Sequence, residues 1–216
     1  MKIFLDTSSV EVIRSHLSTG LIDGVTTNPS LMLKEGKDPL EVIRRISDLF
    51  PDDASVSAEV TAETAYEMVQ LSRPYTSLGS NVTVKVPCTR EGLEACYILS
   101  ENEFKVNVTL VFSQAQAILA AKAGATFVSP FVGRVDDNSF GGLCLVKDIA
   151  NVYAKHNVST QVLAASIRNV REVGRAFEYG ANICTLPPAI FDKMYNHILT
   201  DDGLRRFNED WANLMG

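Results

Sequence analysis

Residues 82–87 read Val82-Thr83-Val84-Lys85-Val86-Pro87, and the organisation of the chain is best understood by starting from them. Their alternation puts the valines on one face of a strand and Thr83 and Lys85 on the other. β-Branched residues favour a strand, and Pro87, which has no backbone N–H, indicates where it ends. On the inner face of such a strand a lysine is desolvated, which favours the neutral, nucleophilic amine that a Schiff base requires. The alternative is a strand-end lysine that reaches solvent along its apolar stem.

The overall composition indicates a globular chain with a sizeable core. Of the 216 residues, 46% are hydrophobic and 21% are charged. This length fits one domain with a large core or two very small domains. The formal net charge of -6 argues against general nucleic-acid binding, because that function requires a basic surface.

The cysteines and histidines form no pattern that is typical of a metal site. The four cysteines are scattered without a Cys-x-x-Cys pair, and the three histidines add no ligand spacing. We therefore expect reduced thiols, a cytoplasmic location and no bound metal. The first residues lack the long apolar region of a signal peptide, and no stretch approaches the roughly 20 apolar residues of a membrane span.

Short β-like runs alternate with helix-like segments along the whole chain, with no linker between them. The predicted strands cover residues 3–5, 22–25, 56–60, 82–86, 106–109, 127–131, 161–165 and 182–186. Alternating strands and helices predict a parallel sheet, and eight such units in a chain of this length fit a closed (β/α)8 TIM barrel. We therefore predict an α/β fold with a single domain over residues 1–216. An open doubly wound sheet is the alternative, but no Gly-x-Gly-x-x-Gly follows the first strand.

The helices are predicted from their apolar stripes and end signals. We expect helices from near Ser9, from Pro39, over 61–71 with Thr61 as the N-cap, over 89–99 and 113–123, up to about His156, over 170–179 and from Pro188. Residues 133–142 are expected to form a loop. An additional C-terminal helix is predicted over about 204–214.

Six strands carry polar residues near their C-terminal ends, on the face where barrel enzymes keep their chemistry. These residues are Asp6, Thr26, Asn28, Glu59, Lys85, Asn107, Thr109 and Ser129. In most of these strands the opposite face is aliphatic and suited to packing on the helices, which leaves the polar face toward the barrel axis. A purely structural interior would be filled with Val, Ile and Leu. Polar ends from six strands therefore predict a catalytic site around Lys85.

Each residue type in this set has a role in the chemistry of a carbonyl substrate. Lys85 attacks a ketone as the free amine, and the carboxylates of Asp6 and Glu59 transfer protons. The hydroxyl and amide groups hold substrate hydroxyls or a catalytic water. Two structural alternatives stay open: Asp6 as the N-cap of the first helix, and Asn28 as a turn residue before Pro29.

A second set of residues is cationic and follows the sixth and seventh strands. It consists of Arg134, Ser166 and Arg168. Loops after the last strands of a barrel often bind phosphate, and arginine matches a phosphate with two parallel N–H groups. The set therefore predicts a phosphate site, and the alternative is two surface arginines beside a helix-capping serine.

Three motifs, taken in this order and spacing, resemble those of a known family. They are Thr26-Thr27-Asn28-Pro29-Ser30, Val84-Lys85-Val86-Pro87 and Leu163-Ala164-Ala165-Ser166. The chain resembles the small transaldolases, a short subfamily that also includes fructose-6-phosphate aldolase, and the likeness covers essentially all 216 residues. The resemblance implies a (β/α)8 barrel and a class I mechanism. In that mechanism Lys85 forms a Schiff base with a ketose phosphate and passes a dihydroxyacetone unit to an aldose phosphate.

The resemblance also implies a role for each site residue and no metal or organic cofactor. Asp6 matches the residue that moves protons during carbon–carbon bond cleavage, while Glu59 and Thr109 match the pair that positions the catalytic water. The other matches are donor-binding positions and a phosphate clamp. The predicted substrate-binding residues are Thr26, Asn28, Asn107, Ser129 and Phe131, and the predicted phosphate clamp is Arg134, Ser166 and Arg168.

Two positions favour a transaldolase of the pentose phosphate pathway over the alternative, a fructose-6-phosphate aldolase. The similar aldolases carry glutamine at position 59 and tyrosine at position 131, whereas this chain has Glu59 and Phe131. A carboxylate suits the proton transfers of Schiff-base formation. A phenyl ring removes a hydroxyl that would help water release free dihydroxyacetone. A rival from another class is a non-catalytic barrel that binds sugar phosphates, in which Lys85 would be idle.

The resemblance finally implies a homo-oligomer, a pentamer or a decamer, in which the C-terminal helix reaches a neighbouring subunit. Phe207 and Trp211 on this helix are compatible with such an interface. The alternative is that both rings pack on their own barrel. Sugar phosphates are the expected substrates, and neither nucleic acid nor a membrane is an expected partner.

Overall fold

Eight parallel strands pair in the order of the sequence, and the first strand pairs with the last to close a barrel. The computed structural model describes residues 1–215, so Gly216, the last residue of the predicted domain, lies outside the described residues. The strands are β1 (Lys2–Asp6), β2 (Gly24–Thr26), β3 (Ser55–Glu59), β4 (Val82–Pro87), β5 (Val106–Val111), β6 (Phe127–Pro130), β7 (Gln161–Ala164) and β8 (Ile183–Leu186). The predicted (β/α)8 barrel and its eight strands are therefore confirmed, with boundaries that shift by one or two residues.

Helices cover the outside of the barrel. They are α1 (Val10–Leu17), α2 (Pro29–Glu35), α3 (Pro39–Ser47), α4 (Ala65–Thr76), α5 (Arg90–Glu101), α6 (Gln114–Lys122), α7 (Val132–Asp137), α8 (Gly142–Lys155), α9 (Val170–Glu178), α10 (Pro188–Lys193) and α11 (Ile198–Met215). Most follow the predicted order, because the apolar stripe and the N-cap of each are local features of the sequence.

Three helix predictions were wrong. Helix α4 begins at Ala65 because Thr64 and Glu67 form a capping box, so Thr61 is not the N-cap. Helix α2 was not expected. It forms because the Asn28 side chain accepts a hydrogen bond from the backbone N–H of Leu31 at 3.0 Å.

The third error concerns α7, which occupies the first part of the predicted loop over 133–142. The backbone N–H groups of Val132 and Gly133 donate to the carbonyls of Ala165 and Ser166 at 2.9 and 3.0 Å. These bonds join α7 to the loop after β7, more than 30 residues away. They depend on closure of the barrel, and a short local pattern gives no sign of them.

The outward faces of the strands build the main core against the helices. Val84 and Val86 of β4, together with Val106 and Val108 of β5, are fully buried in one hydrophobic cluster with α4, α5 and α6. Burial of such side chains stabilises the fold by about 1.5–3 kcal/mol each. The prediction that the aliphatic face packs on the helices is confirmed.

The interior of the barrel is mixed in polarity. Phe4, Phe127, Leu163 and Ile183 form a small buried cluster there. Phe4 fits because Gly24 has no side chain: a Cβ at Gly24 would lie 2.9 Å from the Phe4 ring. Most of the remaining inward positions are polar, and they lead to the C-terminal ends of the strands.

The C-terminal helix α11 starts at Ile198, six residues before the predicted start. None of its residues up to Met215 is buried, so Phe207 and Trp211 do not pack on their own barrel. Within residues 1–215, no helix combines the length and apolar character that crossing a membrane would require.

Candidate active site

A cavity of about 430 Å³ opens at the C-terminal ends of the strands, around Lys85. The predicted residues that line it are Asp6, Thr26, Asn28, Glu59, Lys85, Thr109, Ser129, Phe131, Arg134 and Ser166. Of the predicted site residues, only Asn107 and Arg168 contribute nothing to its wall. The alternation of residues along six strands predicted that these side chains share a site, and the tertiary structure places them around one cavity.

Lys85 lies at the wall of this cavity with only 6% of its side chain exposed. Its Nζ is 2.8 Å from Oε2 of Glu59 and donates a hydrogen bond to the carbonyl oxygen of Thr27 at 3.0 Å. Glu59 is 10% exposed, so this ion pair is weakly screened by salt. The alternative of a strand-end lysine that reaches solvent is wrong, because the Lys85 side chain is almost completely buried.

Asp6 is the second carboxylate of the cavity. Burial raises the pKa of its carboxyl above the ordinary value, while the positive charge of Lys85 and a hydrogen bond from Thr26 oppose this shift. The Thr26 hydroxyl donates to Oδ1 of Asp6 at 2.9 Å. Ser9, not Asp6, caps the first helix, so the capping alternative for Asp6 is wrong. A buried carboxyl with a raised pKa is suited to exchanging protons near neutral pH.

Thr109 presents a buried hydroxyl without a partner. Among the described residues, its Oγ1 is the one buried side-chain nitrogen or oxygen that makes no hydrogen bond within the protein. A register shift between Val108 and Val111 interrupts the pairing of β5 with β6, and Leu110 has a φ of 58°. Such left-handed backbone is uncommon for leucine and is often found at functional sites. The bulge directs Thr109 and Leu110 toward the cavity, where both form part of the wall.

Asn107 and Ser129 support the floor of the cavity. The Ser129 hydroxyl donates to Oδ1 of Asn107 at 2.7 Å, and Nδ2 of Asn107 donates to Ser57 at 3.4 Å. Asn107 is fully buried and forms no part of the cavity wall. Its predicted role in substrate binding stays a prediction, and in this structure it holds Ser129 in place.

Asn28 is a helix cap rather than the turn residue that the sequence left open as the alternative. Its side chain caps α2, and the residue also lines the cavity beside Pro29. A polar residue at a helix N-cap has a side chain with a defined orientation. The cap therefore anchors this part of the wall.

The three residues of the predicted phosphate clamp are placed differently. Arg134 and Ser166 line the cavity, and the Arg134 guanidinium lies over the Phe131 ring, 4.8 Å from its centroid. Arg168 is half exposed and outside the wall, with its guanidinium bound to both carboxylate oxygens of Asp137. The clamp is therefore only partly assembled around the cavity.

The sequence reasoning named neither Thr185 nor Leu110 of the wall as a site residue, and it also missed Asp137 beside the wall. Thr185 of β8 lines the cavity and hydrogen bonds to the Thr26 hydroxyl at 2.6 Å. Thr185 stands between the apolar residues Cys184 and Leu186, so it alternates with them as the polar residues of the other strands do. This alternation was enough to predict that it faces the barrel axis. Leu110 and Asp137 gave no such signal, because a bulge and a tertiary ion pair leave no trace in a local pattern.

Across residues 1–215, no group of three or more His, Cys, Asp or Glu side chains is arranged to hold a metal ion. The chemistry available in the cavity is that of an amine beside two carboxylates, several hydroxyls and a cation. This set suits nucleophilic attack on a carbonyl followed by proton transfer.

Comparison with known proteins gives a consistent result. Residues 3–216 match the model of the Transaldolase/Fructose-6-phosphate aldolase family. A probable transaldolase of Paracoccus denitrificans is 52% identical over 212 residues, which cover 98% of this chain and 97% of that protein. A probable transaldolase of Caulobacter vibrioides is 50% identical over 213 residues, which cover 99% of this chain and 97% of that protein.

Among solved structures, an inosine 5' monophosphate dehydrogenase from Legionella pneumophila superposes with a TM-score of 0.60 over 88% of this chain and 58% of that one. At 14% identity this likeness concerns the barrel fold alone. The family model and the two relatives go further, because they match nearly the whole sequence. The chain belongs to the transaldolase/fructose-6-phosphate aldolase family.

Proposed function

We propose that the protein is a class I transaldolase of the pentose phosphate pathway. It transfers a dihydroxyacetone unit from fructose 6-phosphate or sedoheptulose 7-phosphate to an aldose phosphate. The observation that carries the proposal is the buried Nζ of Lys85, which lies at the cavity wall 2.8 Å from Oε2 of Glu59. A covalent intermediate on this amine divides one difficult step into two easier ones.

The first half of the reaction uses the ion pair. Glu59 takes a proton from Lys85, whose amine attacks the ketone carbon of the donor. The resulting carbinolamine loses its hydroxyl as water to give the protonated Schiff base, and Glu59 returns the proton to that hydroxyl. Thr109, with a buried hydroxyl that has no partner in the protein, holds this water near Glu59.

The second half uses the other carboxylate. Asp6 accepts the proton of the hydroxyl next to the bond that breaks, an aldose phosphate leaves, and the electrons of the bond form an enamine on Lys85. The enamine carbon then attacks the aldehyde of the acceptor, and Asp6 donates its proton to the new alkoxide. Water then hydrolyses the resulting Schiff base, which releases the new ketose phosphate and restores the amine of Lys85. The raised pKa of Asp6 supports this double role, because burial brings the protonated and ionised forms closer in free energy.

Substrate recognition is proposed for the rest of the wall. Thr26, Asn28 and Ser129 bind the hydroxyls of the donor. Arg134, Ser166 and Arg168 bind its phosphate at the end of the cavity next to α7. Phe131, which packs against Arg134, offers no hydroxyl to orient a water that would protonate the enamine, so the enamine waits for an acceptor.

A coupled assay with fructose 6-phosphate, with and without erythrose 4-phosphate, tests the reaction type. We expect glyceraldehyde 3-phosphate to form catalytically only with the acceptor. Equal formation without the acceptor would show an aldolase, and no formation in either case would point to a binding protein.

Borohydride reduction in the presence of fructose 6-phosphate tests the covalent step, because only a Schiff base is converted to a stable adduct. We expect one adduct in the wild type and none in Lys85→Met. Lys105→Met is the matched control, since Lys105 precedes β5 at the opposite end of the barrel and contacts the carbonyl of Ala54. Trapping that persists in Lys85→Met would refute the Schiff-base role.

Two further proposals concern the setting of the enzyme. We place it in the cytoplasm, which the four free cysteines support. We also propose a homo-oligomer, a pentamer or a decamer, in which α11 docks on a second copy of the chain. Its support is an apolar stripe on α11, in which Phe207 is 72% exposed and Trp211 is 67% exposed.

A further inference from the structure

Arg168 lies outside the cavity wall and is paired with an acidic residue. Its side chain is half exposed, and its two terminal nitrogens donate to the two carboxylate oxygens of Asp137, the last residue of α7. This is the bidentate geometry that an arginine also uses to bind phosphate. Asp137 therefore occupies the end of the guanidinium, Nη1 and Nη2, in this structure, while Nε lies against α7 at Gly133.

The local backbone favours this pairing. Arg168 crosses the first turn of α7 at Gly133, where a Cβ would lie 2.5 Å from its Nε. The bare Cα lets the guanidinium lie along the helix and reach Asp137 one turn further on. The backbone bond from Gly133 to the carbonyl of Ser166 holds the two loops together at 3.0 Å.

The other cation of the clamp is free to face the cavity. Arg134, also on α7, lines the wall and stacks on Phe131 instead of pairing with Asp137. The hydrogen bonds from Arg168 lower the pKa of the Asp137 carboxyl below its ordinary value, and Arg134 adds to this effect. Asp137 is therefore ionised at neutral pH and competes at full charge.

We propose that Asp137 sets the affinity of the site for phosphorylated substrates by competing with the substrate phosphate for Arg168. This inference rests on the proposed phosphate clamp. A sugar phosphate binds first to Arg134 and Ser166 and then displaces Asp137 from Arg168. On release the carboxylate takes the arginine back, which limits how long phosphate stays bound. A substrate without phosphate leaves the Arg168–Asp137 pair intact.

The test measures inorganic phosphate as a competitive inhibitor of the purified enzyme, together with KM and kcat for fructose 6-phosphate. Exposed ion pairs are weak, so we expect Asp137→Asn to lower the inhibition constant and this KM by up to about fivefold. It should not raise kcat. KM for fructose, a ketose donor without phosphate, should not change, whereas a general structural change would alter it as well.

Two controls make the result specific. Asp148→Asn removes the same charge from an exposed position of α8 and should leave the inhibition constant unchanged. Asp137→Asn added to Arg168→Ala should have no further effect, because the competitor then has nothing to hold. Asp137→Ser serves as a second variant in case the asparagine disturbs the end of α7.

The outcomes separate this inference from the clamp on which it rests. If Arg168→Ala weakens phosphate binding but Asp137→Asn leaves it unchanged or weakens it too, the competition is refuted and the clamp stands. If Arg168→Ala has no effect on phosphate binding, both are refuted. The competition would also be refuted if Asp137→Asn tightened phosphate binding and did so equally in the Arg168→Ala background. The effect of Asp137 would then not depend on Arg168.

Discussion

The Nζ of Lys85 lies 2.8 Å from Oε2 of Glu59, and the two residues occupy directly paired positions on β4 and β3. Neighbouring positions on the same face of two parallel strands keep their side chains together without help from a loop. The barrel itself therefore positions the amine next to its carboxylate. With exposures of 6% and 10%, the pair is shielded from bulk water but open to the cavity.

Replacing Glu59 by glutamine keeps the shape of this pair but removes its base. We expect Glu59→Gln to lower kcat for transfer by about 10²-fold or more, because general acid–base catalysis contributes that much. Borohydride trapping should become slower but still occur on Lys85. Stopped-time reduction followed by mass spectrometry measures this rate, and an unchanged rate would remove Glu59 from the proton transfers.

Replacing Phe131 by tyrosine adds a hydroxyl to the cavity wall. We expect Phe131→Tyr to increase release of dihydroxyacetone without an acceptor, because the hydroxyl orients water toward the Schiff base. The readout is the ratio of glyceraldehyde 3-phosphate formed without and with erythrose 4-phosphate. Phe112→Tyr is the matched control, since its ring packs 5.9 Å from Phe131 but lies outside the cavity wall. An unchanged ratio in Phe131→Tyr would refute this role.

The buried carboxyl of Asp6 is expected to support activity while lowering the stability of the fold near neutral pH. Its pKa is higher in the folded than in the unfolded protein, where it is near the ordinary value of 3.8. The stability that protonated Asp6 contributes is therefore fully present below that value and is lost as the pH rises through the folded-state pKa. We expect Asp6→Asn to lose activity by about 10²-fold or more and to gain thermal stability relative to the wild type as the pH rises toward neutrality.

Melting temperatures measured between about pH 4 and pH 8 check this expectation for Asp6. Asp148→Asn, at an exposed position, is the control and should follow the wild-type profile. A stability difference between Asp6→Asn and the wild type that shrinks with rising pH would contradict the prediction.

Thr109 offers a second case of a polar group retained at a cost to stability. Its buried hydroxyl has no partner in the protein, so we expect the isosteric Thr109→Val to be as stable as the wild type or up to about 1 kcal/mol more stable. Activity should fall in Thr109→Val and be largely retained in Thr109→Ser. Urea unfolding and the transfer assay provide the measurements. Equal activity in both variants would show that the hydroxyl is not used.

The exposed stripe of α11 predicts an effect on assembly rather than on the fold. We expect Trp211→Glu and Phe207→Glu to reduce the oligomer mass in sedimentation experiments. Unfolding of the separated subunits should stay within about 0.5 kcal/mol of the wild type, because neither ring is buried in its own barrel. Asn213→Glu, on the opposite face of α11, is the control. A monomeric wild type would contradict the proposed assembly.

The strands and their polar rim could be predicted because their signal is local. Val82, Val84 and Val86 alternate with Thr83 and Lys85, and a period of two assigns each residue to one face before any contact is known. The same parity in six strands was enough to expect a shared cavity. The same alternation in β8 places Thr185 on the inward face, between Cys184 and Leu186.

The parts that could not be predicted depend on contacts between distant segments. Helix α7 forms in a segment expected to be a loop, where its first backbone N–H groups bind carbonyls of the loop after β7. Asn107 forms no part of the wall, and its side chain bonds to Ser57 of β3 and Ser129 of β6. The register shift at Leu110 arises from the pairing of β5 with β6.

The sequence by itself determined the barrel, the inward face of six strands and the polar residue types that meet at their ends, because strand periodicity and residue type act over a few neighbouring positions. Only the tertiary structure decided which of the site residues have partners. Lys85 meets Glu59 through strand pairing, and Arg168 turns to Asp137, 31 residues away in the chain. Such pairings depend on distances that exist only once the barrel has closed.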